Sequence, residues 1–399
     1  MVKKITHHHK TLITMMKMIA SAKREHLGIL RNLIDLEKTP HSPEDLDKKV
    51  EKITLTSPQS LIVLTVCSLG ATVVSILLKS ETGYREITVL DEDWFNDKQS
   101  YMGRTCGRLA GRVAPYIVPG RSETDLFEFS SKDFPLHGGK IGFSHRVWKC
   151  TSTFCSQKSA RACFELESDH NDQGHPGAVR VEVHFMAAID ESNKPHFDIR
   201  FRAKLDPNSP SQAFVNLASH VYFNLGNSKV GESITALQHS LFLPRSTKFY
   251  SKHFATESES VRDEFDFSEN KHPVDKPLDH CFLIDQTSFS AEKELAAELS
   301  SDDITMSVKT SQPAVVVYTA DHLNFKGICL EFQSPPNCPN IPEMQGRVRV
   351  TGKPKLKLKS EGVDSLSLRL QTPTRRASLS IGQEYDYDEL TMHEFSFIQ

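Results

Sequence analysis

The chain has 399 residues, 38% of them hydrophobic and 25% charged, with a formal net charge of -3. That length can bury a large core without disulfide or metal staples, and all-β folds of this size often run as one unit. The balance lacks the basic excess that nucleic acid or an anionic membrane selects, so neither is expected as the main partner unless through a local basic patch.

The first segment could pass for a targeting sequence. Residues 1–35 carry Lys3, Lys4, Lys10, Lys17 and Lys23 beside Leu, Ile and Met. A secretory signal needs an unbroken apolar centre, which Lys17 interrupts, and a mitochondrial transit peptide is the alternative to a plain extension. Residues 11–37 have helical spacing, which Pro40 and Pro43 break. A helical or disordered extension over 1–48 is therefore predicted, followed by one catalytic domain over 49–399.

Ser60–Leu78, SLIVLTVCSLGATVVSILL, has the length and apolarity of a membrane helix. It is also dense in Val, Ile and Thr, with Gly70 at its centre. Two buried strands joined by a bend at Leu69-Gly70-Ala71 account for it equally well.

Beyond this point the chain reads as strands. Arg180–Ile189 and His196–Leu205 alternate, the second with Phe197, Ile199, Phe201 and Ala203 on one face, and Asp190–Pro195 is turn chemistry. Further strands are predicted at 162–167, 214–224, 280–285, 304–310, 314–318 and 327–332. No strand–helix alternation appears, so the expected fold is an all-β, large antiparallel β-sandwich with a short helical N-terminal extension. Residues 341–377, rich in Lys, Arg, Ser and Gly, read as a surface insertion. Ser378 follows Arg375-Arg376-Ala377, a pattern that basophilic kinases accept and that also occurs by chance.

The eight cysteines form no C-x-x-C pair and no disulfide framework, and no N-x-S/T acceptor occurs. A reduced, cytoplasmic protein with no metal and no cofactor is expected.

Several polar residues stand inside apolar or tight-turn sequence: Arg108, Arg112, His137, His220, Asp279, Gln312 and Glu331. A carboxylate in a strand such as 328–332 is costly unless paired or functional. Any one of these residues is more often a satisfied core group, but the whole set along one β-domain points to a site.

These stretches carry a resemblance. GRTCGRLAGRVA, LHGGKIGFSHRVW, GHPGAVRVEVHF, NLASHVYFNLG, LDHCFLI, TSQPAVVVYT and CLEFQ occur in the order seen in the aldose 1-epimerase family, of galactose mutarotase type. LGATVVSILL resembles that family's early strand pair, which removes the membrane reading. FDF at 265–267 and GQEYDY at 382–387 resemble later landmarks.

The resemblance implies stacked antiparallel sheets with an open sugar cleft. It also implies interconversion of the α- and β-anomers of free aldohexoses such as galactose and glucose. It assigns His220 as general acid and Glu331 as general base, with Arg112, His137, Asp279 and Gln312 binding the sugar. Opposite charges on the pair should raise the imidazole pKa and lower that of Glu331. Trp148, with Phe143, is either a platform for the sugar ring or core. A monomer or weak dimer is expected.

One departure stands inside the site. Where the family has Ala-Asn-Arg, this chain has Ala110-Gly111-Arg112. One amide contact is lost or supplied elsewhere, and Gly111→Asn is expected to restore it and lower KM. A non-catalytic sugar binder and an epimerase of hexose phosphates are the competing readings.

Overall fold

The computed structural model describes residues 19–398 except 97–100, 121, 123, 131–135, 227–234, 252–253, 286–293, 302, 325 and 352–390. Apolar alternation decides its architecture. Val179–Ile189 and Pro195–Leu205 pair antiparallel from Val179↔Leu205 to Ile189↔Pro195, which is the predicted hairpin. Val181, Val183 and Phe185 of one strand are buried, as are Phe197, Ile199, Phe201 and Ala203 of the other. The remaining strands gather mainly into sheets of five, nine and seven strands. Residues of all three sheets meet in one core, as a sandwich of antiparallel sheets requires.

The five-stranded sheet holds one correction to expectation and one agreement. Ser21–Ile29 is not helical. It is an edge strand paired with Lys49–Thr56, from Ser21↔Thr56 to Ile29↔Lys49 with a bulge between His26 and Gly28. The apolar spacing that suggested a helix has another origin. Leu27, Leu30, Leu33 and Ile34 fold over Val50, Leu69, Trp94 and Val147 as a satellite core. Tertiary pairing has overridden local propensity, as it often does for a short segment.

Ser60–Leu78 is the expected strand pair, Ile62–Cys67 against Thr72–Ser80. Gly70 turns the corner at φ +66°, where a Cβ would fall 2.4 Å from the Ser144 carbonyl oxygen. Among the described residues no helix is long and apolar enough to cross a membrane.

Two more expectations change. Residues 214–224 are not one strand but three two-residue pieces, Ala213–Phe214, Ala218–Ser219 and Tyr222–Phe223, each pairing with a different partner. The start of the presumed insertion is packed. Pro342–Val348 is an α-helix, and Arg349–Val350 pairs with Ala213–Phe214, burying Val348 and Val350. Ser378 and the GQEYDY stretch lie outside the described residues.

Residues 19–48 are tied to the body by charge as well. Asp45 is fully buried and accepts hydrogen bonds from Arg146 Nε at 3.0 Å and the Val147 amide at 2.8 Å. Removing one member of a buried ion pair costs about 3–5 kcal/mol. Deletion of residues 1–48 should therefore lower the melting temperature by many degrees. An unchanged melting temperature would show that the edge strand is an appendage.

Candidate active site

The seven-stranded sheet builds the floor of a cleft. Asp279–Leu283, Ala314–Tyr318 and Ile328–Gln333 are neighbours, with Tyr222–Phe223 beyond. Directly opposed residues share a face. Phe282, Val315, Val317, Leu330 and Phe332 enter the main core from one face. The other face carries Asp279, Val316, Tyr318, Glu331, Gln333 and Tyr222, all of which line a cleft of about 210 Å³. Period-two alternation thus explains how a strand spelled ICLEFQ holds a carboxylate without breaking the core.

His220 reaches the same cleft from the turn before Tyr222. Its backbone is clamped on both sides: its N–H donates to the Arg104 carbonyl and its own carbonyl accepts from the Gly103 N–H, each at 2.9 Å. His220 Nε2 stands 3.5 Å from Glu331 Oε1, with both residues under 5% exposed. Its Nδ1 faces Cys329 Sγ at 3.4 Å. Burial pushes that thiol well above its ordinary range, so it stays protonated.

His137 shows how the LHGG stretch works. Its nitrogen Nδ1 accepts the Gly111 N–H at 3.2 Å, and its own backbone N–H donates to the Gly111 carbonyl at 3.0 Å. Burial, aided by the nearby His220 and Arg112, holds His137 well below the usual imidazole pKa. A neutral ring whose Nδ1 accepts carries its proton on Nε2, which leaves that nitrogen as a donor. The backbone follows from the neighbouring glycine. His137 sits at φ +50°, and a Cβ on Gly138 would lie 2.1 Å from the Gly107 carbonyl oxygen. Left-handed backbone at a non-glycine residue is strained and clusters at functional sites; Tyr101, also in the cleft lining, has φ +52°.

Glu331 departs from expectation. Its pKa is not lowered by His220. Burial pushes the carboxyl up to about 8, and the charge of Asp279 acts in the same direction. Desolvation of a fully enclosed carboxylate outweighs one imidazole at 3.5 Å. Glu331 Oε2 and Gln333 Oε1 are buried with no hydrogen-bond partner among the described residues. Such acceptors suit the hydroxyl donors of a ligand.

Of the six residues that the resemblance assigns to the site, the cleft lining brings together His220, Glu331, Arg112, His137 and Asp279. It does not include Gln312, which is buried at the turn before Ala314–Tyr318. Gln333 supplies an amide in the lining instead. Tyr101, Tyr222, Tyr318 and His322 were also missed. Tyr222 and Tyr318 could have been found by extending alternation across the sheet, had the register been known. Trp148 is core: it is 1% exposed, donates from Nε1 to the Phe143 carbonyl at 3.0 Å and packs edge-on against Phe143.

Arg108 is structural as well, since its guanidinium binds the carbonyls of Pro176, Ser168 and Asp169. His137, His220 and Glu331 also bring one ligand atom each within 4.8 Å of one another, so this trio could accept a cation.

Residues 51–361 match the family model described as aldose 1-epimerase. The chain belongs to that family. The aldose 1-epimerase of Haemophilus influenzae is 30% identical over 69% of this chain and 84% of its own length. The galactose mutarotase of Bos taurus is 27% identical over 73% of this chain and 88% of its own. The fold agrees. A galactose 1-epimerase structure from Lactobacillus acidophilus superposes with a TM-score of 0.65 at 20% identity, covering 95% of this chain and 99% of that one. A C. elegans aldose epimerase homologue gives a TM-score of 0.60 at 18% identity, covering 84% of this chain and 95% of that one. As a member of this epimerase family the chain is an isomerase with a sugar substrate.

Gly111 acquires a physical account within the family fold. It adopts φ +79°, and a Cβ there would lie 2.8 Å from both Cβ and Cγ of Pro336. Real side chains almost never approach so closely, so Gly111→Asn cannot simply add an amide. It should raise KM or lower stability, contrary to the expectation from sequence. Combining it with Pro336→Gly should relieve the contact and recover part of the loss, the strain of a side chain at φ +79° remaining. A single variant with lower KM would show that Pro336 yields.

Proposed function

We propose that this epimerase interconverts the α- and β-anomers of free aldohexoses, galactose and glucose among them. The observation that carries this reading is the His220–Glu331 contact of 3.5 Å at the buried floor of a cleft lined with hydrogen-bonding groups. Glu331 removes the C1 hydroxyl proton while His220 protonates the ring oxygen. The ring opens, the aldehyde turns over its face, and the two transfers reverse on closure. No proton is gained or lost over the cycle. His137 donates from Nε2, Asp279 accepts from hydroxyls, and Arg112 and Gln333 fork to neighbouring ones.

Acid and base form one titrating unit. Glu331 ionised with His220 charged, and Glu331 protonated with His220 neutral, have the same net charge. The pair therefore needs one proton between them, not an independent pKa for each. Of the described residues lining the cleft, Arg112 is the only Lys or Arg, which disfavours a hexose phosphate as substrate. The direct test is polarimetry or NMR exchange on freshly dissolved α-D-glucose and α-D-galactose. Absence of acceleration for both sugars would favour the binding-module reading.

A pH dependence follows with a definite sign. Burial raises the Glu331 carboxyl to about 8, so as pH falls the pair takes up its second proton, and loses its base form, at a higher pH than an ordinary carboxylate would. The acid limb of kcat/KM should therefore lie above the ordinary carboxylate range. Asp279→Asn removes a charge that raises this pKa, so the limb should move to lower pH while KM rises. A limb that stays in place would mean that Asp279 does not reach Glu331 electrostatically.

A further inference from the structure

We propose that the outer face of the nine-stranded sheet carries a second site, for a zinc-class divalent cation, formed by Cys163, Glu182 and His184. Ser159–Ser168 and Val179–Ile189 pair so that Cys163 stands opposite His184 and Glu165 opposite Glu182. Outward positions of two adjacent strands thus form a square of Cys, His, Glu and Glu.

Three of the four already converge on one atom. His184 Nε2 lies 3.7 Å from Cys163 Sγ and 3.1 Å from Glu182 Oε2. Ligands around a tetrahedral zinc, at about 2.3 Å for sulfur and 2.0–2.1 Å for nitrogen or oxygen, are separated by roughly 3.3–3.6 Å. The observed spacings bracket those edges. One ligand atom from each residue falls within 4.8 Å of the others.

An imidazole nitrogen cannot satisfy both neighbours with a single proton, whereas a cation between them satisfies all three. A thiolate, an imidazole and a carboxylate select a borderline-soft ion over calcium or magnesium, which require oxygen.

The surrounding charges permit it. Glu165 and Glu182 face each other, a like-charge pair that costs stability unless something positive relieves it. Arg202 stands opposite Glu182, and Arg180 Nε lies 3.8 Å from Glu165 Oε2, so the relief is shared. The cations on this face also have partners away from the square. Arg180 holds Glu167 at 2.7 Å, Arg200 holds Asp198 at 2.7 Å, and Arg161 donates to Met186 Sδ at 3.1 Å. A cavity of about 220 Å³, lined by Ser152, Cys163, His184 and Met186 among others, leaves room for a further ligand. Burial raises the Cys163 pKa, so binding should release a proton and tighten with pH.

The test is cobalt(II) titration of the metal-stripped full chain, read by its thiolate-to-cobalt charge-transfer absorption, with zinc competition. One equivalent should give the band. Cys163→Ser should abolish it, and both Cys163→Ser and His184→Ala should weaken zinc binding by at least ~100-fold, beyond the loss expected for an outer partner. Anomer exchange by either variant, and by the chelated wild type, should be unchanged. No thiolate band at any cobalt concentration would overturn the proposal, as would a band that persists in Cys163→Ser. So would binding that survives Cys163→Ser but disappears in His220→Asn, which would place the ion on the cleft trio.

Discussion

Glu331→Gln and His220→Asn should each lower kcat for anomer exchange by ~10²-fold or more, the scale of a general acid or base. The argument rests on placement. The two groups are 3.5 Å apart and nearly inaccessible, so water cannot readily substitute for either. Sugar affinity should change far less, because Arg112, His137, Asp279 and Gln333 remain in the lining. The double variant should be little worse than the singles, since groups that pass one proton between them act as a unit. Saturation kinetics by polarimetry, with sugar affinity measured separately by calorimetry, check all three statements. Near-wild-type turnover by well-folded single variants would move the chemistry to other residues.

The same Glu331→Gln substitution should stabilise the protein at alkaline pH. A carboxyl whose folded pKa is raised contributes stability below its unfolded value, near 4.3, and that stability is lost as pH rises through the folded value. For Glu331 the folded value is about 8. Above about pH 4.3 the wild type therefore carries a buried carboxyl that the unfolded chain would rather ionise, and the cost grows until the folded value of about 8 is passed. Each decade of displaced proton affinity is worth about 1.4 kcal/mol, so the gain at pH 8–9 is on the order of 5 kcal/mol. Glutamine has the same shape and no charge to desolvate. Thermal unfolding at pH 5 and pH 9 should show the variant's advantage at pH 9 much larger than at pH 5. Equal differences would place the effect outside ionisation. A gain in stability accompanying a loss of turnover is the trade expected where catalysis keeps a destabilised group in place.

Strand content was legible wherever alternation ran for several residues, as in the 179–205 hairpin, because period two is printed directly in the side chains. It failed where pairing partners are distant. Ser21–Ile29 becomes a strand only because Lys49–Thr56 lies beside it, and 214–224 breaks into pieces because three different neighbours claim it.

The site behaved likewise. His220, Glu331 and Asp279 announced themselves as charges in apolar sequence. Gln333 and Tyr318 did not, since their exposure to the cleft depends on the register between Ala314–Tyr318 and Ile328–Gln333. The Glu331 pKa was misjudged for a related reason: a sequence reveals the neighbouring imidazole motif but not the depth of burial that outweighs it. The consequence of Gly111 was equally hidden, because Pro336 lies more than two hundred residues downstream.

Thr391–Ile398 is inserted in the middle of the nine-stranded sheet, between Pro195–Leu205 and Thr305–Thr310. Until those residues leave the ribosome, two long strands hold open a gap between them, each with a row of unpaired amides and carbonyls. Such edges recruit strands from other molecules. A nascent chain halted before Thr391 is thus a template for self-association, and so is a product shortened by premature termination or proteolysis. Chaperone demand during synthesis should be concentrated in that interval, because the contacts that close the sheet span nearly two hundred residues of sequence and form late.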